Sequence, residues 1–137
     1  MKTITDKIFG KINYDLFWQK KDSFIWNNKS FPVTVIIRAA NEQPPTEKQQ
    51  DCYNYFKNNS QKLIALAIDE LLKYCKDNYD NSLTAESIRQ KLIPREIIFR
   101  RTGRWGITFD SPWENERQLA IAFKDDVAIA GTDDLLI

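Results

Sequence analysis

Pro44–Lys76, PPTEKQQDCYNYFKNNSQKLIALAIDELLKYCK, decides the fold: it is the one long stretch whose apolar residues recur at helical spacing. Cys52, Phe56, Leu63, Ala67, Leu71 and Tyr74 share one face, while Lys48, Lys57, Lys62, Asp69 and Lys73 take the other. Pro44 and Pro45 mark where the helix begins, because proline cannot extend it backwards. Thr46 followed by Gln49 is a capping-box pattern, in which each side chain takes a free backbone N–H of the first turn. A straight helix from Thr46 to Lys76 would run about 46 Å, too long for a small domain, so a break is expected at Asn58-Asn59-Ser60, three weak helix formers. Cys52 and Cys75 would lie about 34 Å apart along it, far beyond disulfide reach, and both read as buried free thiols.

Outward from this layer the period changes to two. Before it, Ile8, Ile12 and Tyr14 surround Gly10, Trp18 and Phe24-Ile25-Trp26 lead into an Asn27-Asn28 turn, and Phe31, Val33, Val35 and Ile37 alternate with Thr34 and Arg38. The tract Gln19–Ser23 reads equally as a hairpin loop or a solvated strand. After the layer, Thr84 caps a second, shorter helix closed by Pro94. Ile97 and Phe99, then Trp105, Ile107 and Phe109, then Leu119, Ile121 and Phe123 define further strands, with a turn at Lys124–Asp126 before Val127–Ala130. Gly106, Ala120, Ala122, Ala128 and Ala130 are read as places where helices approach the sheet. The expected fold is a single α+β domain over residues 1–137. Its antiparallel sheet is formed by N-terminal and C-terminal strands and packed by the central helical layer, in the order β-β-β-α-α-β-β-β-β.

The chain has 137 residues, with 20 basic and 19 acidic side chains and a net charge of +1, so no global field draws in nucleic acid. Its first residues are polar and no run of apolar residues is long enough to span a bilayer, which gives the expectation of a cytoplasmic protein with no membrane partner. Histidine is absent, and the four glycines are scattered at 10, 103, 106 and 131 rather than gathered in a phosphate loop. Histidine-based catalytic and metal motifs are thereby excluded in their usual forms, as is any CxxC site. The expectation is a protein that is not an enzyme and has no cofactor and no metal.

Two surface clusters remain. Asp110, Trp113, Glu114 and Glu116, with Asp125 and Asp126 further on, form an acidic set suited to a basic protein partner. Trp113 serves either as a lid folded back on the sheet or as an apolar anchor. Arg100, Arg101 and Arg104 with Trp105 form the alternative, a patch that could hold phosphates and stack bases. The bland reading of those arginines is a sheet edge blunted by charge.

The stretch Arg104–Glu116, RWGITFDSPWENE, followed by Leu119–Phe123 and then Asp125–Asp134, resembles an uncharacterised family of small bacterial α+β domains. Phe9-Gly10-Lys11-Ile12 and the helix from Tyr55-Phe56 to Leu72 extend the likeness over most of the chain. Asp125-Asp126 and Arg117-Gln118 stand where relatives tend to have glycine. The resemblance implies an antiparallel sheet with packed helices and no known reaction. Such domains are similar to small cytosolic proteins encoded beside bacterial toxins. The implied role is that of an immunity protein, of the contact-dependent growth inhibition or polymorphic toxin type, whose partner is a cognate toxin.

Overall fold

The computed structural model describes residues 2–137. Four strands, β1 (Lys2–Asp6), β2 (Gly10–Asp15), β3 (Phe17–Trp26) and β4 (Lys29–Ile37), precede two helices, α1 (Glu47–Asn78) and α2 (Ala85–Lys91). Four more follow: β5 (Ile93–Phe99), β6 (Trp105–Asp110), β7 (Leu119–Lys124) and β8 (Val127–Thr132), with a 3-10 turn over Asp133–Leu136. The class is α+β. All eight strands join one sheet in sequence order, β1 at one edge and β8 at the other.

Two details correct the expected order. The N-terminal half has four strands rather than three, because the polar Lys2–Asp6 forms a strand of its own against β2; of the two readings of Gln19–Ser23 the strand holds, within β3. Lys20 sits on the side of β3 that also carries the buried Trp18, Phe24 and Trp26. Its ammonium is satisfied there by the Phe9 carbonyl at 2.7 Å and the Tyr53 hydroxyl at 2.9 Å. The sheet is also not wholly antiparallel, since β4 pairs with β5 in parallel, Val35 opposite Ile97. The chain leaves β4 and returns through both helices, and such a crossover delivers the next strand in the same direction, whereas every other junction is antiparallel.

Local signals act as their chemistry dictates. Thr46 and Gln49 form the capping box of α1, and the Gln49 side chain goes on to donate to the carbonyls of Arg38 (2.7 Å) and Phe99 (3.0 Å), fastening the helix start to the ends of β4 and β5. Asn59, at φ −130° and ψ 23°, kinks α1 within the expected weak triplet. Asn27 and Asn28 both take positive φ in the β3–β4 turn, the geometry of a tight hairpin. Both cysteines are free. Cys75 is buried, while Cys52 is only partly so and lies 3.4 Å from the Gly103 carbonyl oxygen.

The main core joins one face of α1 and α2 to one face of the sheet, from Phe9, Ile12 and Trp18 across to Ile121 and Phe123. A second, smaller cluster lies on the other sheet face: Ile36, Ile98, Ala120, Ala122 and Leu136, flanked by Phe17 and Leu135. This revises the reading of the small residues. Ala128 and Ala130 belong to the main core with the helices. Gly106, Ala120 and Ala122 instead make room for the C-terminal turn: a Cβ on Gly106 would lie 2.1 Å from the Ile121 carbonyl oxygen and 2.9 Å from Leu136. No described helix is long and apolar enough to cross a membrane.

Candidate partner-binding margin

The β6–β7 loop is fixed by its own short-range chemistry. Ser111 Oγ accepts from the N–H groups of Trp113 (3.2 Å) and Glu114 (3.1 Å), and Glu114 Oε1 accepts from the N–H of Glu116 (3.2 Å). Side-chain oxygens that take backbone donors two or three residues on hold a turn without regular structure. Trp113 folds back, half-buried, against the core and stacks on Tyr79 beyond the end of α1, ring centres 6.4 Å apart. Of its two expected placements it takes the lid.

The acids of this loop are held from elements distant in sequence. Arg95 of β5 and Gln118 donate to opposite oxygens of Asp110. Partial burial pulls the Asp110 carboxyl upward, but the Gln118 and Arg95 hydrogen bonds and the Arg95 charge outweigh it and hold the group below its ordinary range. Tyr79 donates to Glu114 Oε2 at 3.1 Å, and burial first, then this carboxylate, push the phenol well above its usual value. Arg117 bridges Asp133 and Asp134 at the end of β8. Together Asp110, Ser111, Glu114–Gln118 and Asp133 line an open cleft of about 490 Å³, with four carboxylates against one arginine.

Asp125 and Asp126 are not in this cleft. They form the β7–β8 hairpin tip, Asp125 at positive φ, on the opposite end of the strands. A six-residue strand separates the two groups by about 17 Å. Asp126 accepts from Tyr55 of α1 at 2.5 Å, which raises the phenol's pKa, with burial second. The six acidic-set residues therefore lie at the two ends of β8, joined by its free edge.

Arg100, Arg101 and Arg104 share the end where Asp125 and Asp126 stand. Arg100 and Arg104 close the β5–β6 turn through their backbones, and Arg101 reaches Gln43 at 3.2 Å. Thr102 and Gly103 of that turn line one groove with Lys48, Asp51, Cys52, Lys124 and Asp125. Carboxylates beside the arginines break up the positive field that a phosphate backbone needs. Among the described residues, no three His, Cys, Asp or Glu side chains are grouped to hold a metal ion.

Tyr55, Tyr79, Arg95 and Arg117 set the geometry of the margin, and nothing in the sequence marks them as partners of these acids. Each meets its carboxylate across 15 to 71 positions, so only the fold joins them.

No curated protein and no solved structure matches the chain. One family does: the sequence model described as a domain of unknown function, DUF6985, matches residues 8–136. That span covers both halves of the sheet, both helices and the acidic margin, and the chain belongs to the DUF6985 family.

Proposed function

We propose that this protein is a non-enzymatic immunity protein that binds a cognate bacterial toxin in the cytoplasm and blocks its active cleft or the path of its substrate. The observation that carries this reading is the preformed acidic cleft at Asp110–Gln118. Its carboxylates are positioned by Ser111, Tyr79, Arg95 and Gln118 before any partner arrives. A surface already ordered loses little entropy on binding, so more of the contact energy goes into affinity. Carboxylates held at a rim also speed encounter with a basic surface. A nuclease is the toxin class that matches best, because a groove built for a phosphate backbone is lined by Lys and Arg.

The test is co-expression with the toxin encoded in the adjacent reading frame. Growth protection and a stable one-to-one complex are expected. Glu114→Lys with Glu116→Lys should slow association by roughly ten-fold or more at low salt, with a smaller effect at high salt. A toxin that neither binds nor loses activity in the presence of the protein contradicts the proposal.

A further inference from the structure

β8 ends the sheet, and the hydrogen-bond phase of its ladder says which of its backbone groups are unused. Thr132 stands opposite Leu119, and one step on, the Asp133 N–H donates to the Gln118 carbonyl at 3.0 Å. Antiparallel pairs alternate between bonded and non-bonded positions. Val127, Ile129 and Gly131 therefore turn their amides and carbonyls toward β7. Ala128, Ala130 and Thr132 turn theirs outward, where they meet no backbone partner among the described residues. Natural edge strands are commonly blunted by lysine, proline, a bulge or a covering helix, and of these β8 has only α1, packed on its inner face over Ala128 and Ala130. β8, VAIAGT, has no charged residue and no proline, and its Val127 and Ile129 side chains are 60% and 45% exposed.

We propose that the free edge of β8 is a strand-addition site. It takes an extended segment of a partner protein, about six residues long, with β-branched or apolar side chains at alternate positions and Lys or Arg at both ends. Main-chain bonds to Ala128, Ala130 and Thr132 supply the register, and Val127 and Ile129 meet the alternate side chains on the outer sheet face. The charge requirement comes from what brackets the strand: Asp125 and Asp126 beside Lys124 before it, and Asp133 and Asp134 bridged by Arg117 after it, which leaves each end net negative. A second copy is the obvious competitor for an uncharged edge, and these brackets oppose it. Antiparallel pairing of β8 with itself, centred on Ile129 or Ala130, sets Asp125-Asp126 of one copy beside the Asp133-Asp134 end of the other. Like charges placed opposite each other disfavour the pair. This inference deepens the binding reading above and depends on it for the partner's identity, but the edge can be tested without the toxin.

The experiment titrates the ¹⁵N-labelled full chain with a synthetic peptide of alternating Val and Thr flanked by Lys pairs. Two controls are used, the same peptide flanked by Glu pairs and the Lys form N-methylated at alternate amides. The Lys peptide should shift the amides of Ala128 and Ala130 and slow their hydrogen exchange by about ten-fold or more. The Glu form should bind roughly ten-fold more weakly at low salt, and the N-methylated form should not bind. Ile129→Lys, a surface change that leaves the ladder intact, should weaken the Lys peptide by a similar factor. No change at Ala128 and Ala130, equal binding of both charge forms, a response confined to β1, or self-association of the free chain through β8 each overturns the inference. With the toxin in hand the two levels separate. A complex unaffected by Ala128→Pro in a folded variant removes the strand-addition site and leaves the immunity reading standing, whereas absence of any complex removes the immunity reading and the peptide result still decides the edge.

Discussion

At one edge of the sheet β1 starts on Lys2, close to Glu42, and ends on Asp6, whose carboxylate accepts the N–H groups of Ile8 and Phe9 and so ties off the first turn. At the other edge β8 has no charged side chain, and its acids are displaced into the loops at its two ends. The outer backbone groups of β1 are unpaired too, but Lys2 and Asp6 place charge within that strand. The β8 edge is left unpaired and framed by carboxylates, and the C-terminal turn behind it packs Leu136 into the back of the sheet. Two strands of similar length thus meet the same aggregation hazard by different means, charge within the strand in one case and charge around it in the other.

The sharpest way to break this comparison is a matched pair of glycine substitutions. Gly106→Val, in the β8 half, forces a side chain into the Ile121 carbonyl and should cost more than about 4 kcal/mol in urea unfolding, if the variant folds at all. Gly10→Ala, in the β1–β2 turn, meets nothing within 4 Å and should cost only about 1 kcal/mol, from its φ of +80°. Similar losses at both positions would mean that the back-face packing is not the constraint described.

Leu136→Ala comes next. Leu136 is fully buried, and its truncation should cost about 2–4 kcal/mol and raise amide exchange in β7 and β8 more than in β1 and β2. Uniform loosening of the whole sheet would contradict a local buttress.

The smallest effect is electrostatic. Asp110 has its folded pKa depressed, so its ionised form contributes stability that is present above the unfolded value near ~3.9 and lost as pH falls through the folded value. Because the Arg95–Asp110 pair is about half exposed, Asp110→Asn should cost less than about 1 kcal/mol at pH 7, and the difference from wild type should vanish in acid. A pH-independent difference would show that the carboxylate's charge is not what Arg95 and Gln118 hold.

Local chemistry was legible in the residues and long-range partnership was not. The capping box at Thr46, the cap at Thr84, the Asn59 kink and the Asn27-Asn28 turn depend on neighbours within four positions, and they stand where the sequence places them. The fourth N-terminal strand, β1, was hidden because KTITD has one large apolar residue, and the continuity of β3 was hidden because Lys20 faces inward, which only the distant Phe9 carbonyl and Tyr53 hydroxyl make tolerable. The acids were legible as exposed loop residues, but their division between two ends of β8 depends on the β7–β8 register. The edge itself could not be read at all. A run of small apolar residues looks the same in a central strand and in a terminal one until the strand order is known.

The central proposal is that the β8 margin binds the partner, and hydrogen exchange of the proposed complex with a toxin encoded in an adjacent reading frame tests it most directly. The account requires the amides of Ala128 and Ala130 to become protected on binding while those of Thr3, Ile4 and Thr5 stay as they were. Protection that appears along β1 and leaves β8 unchanged would contradict it.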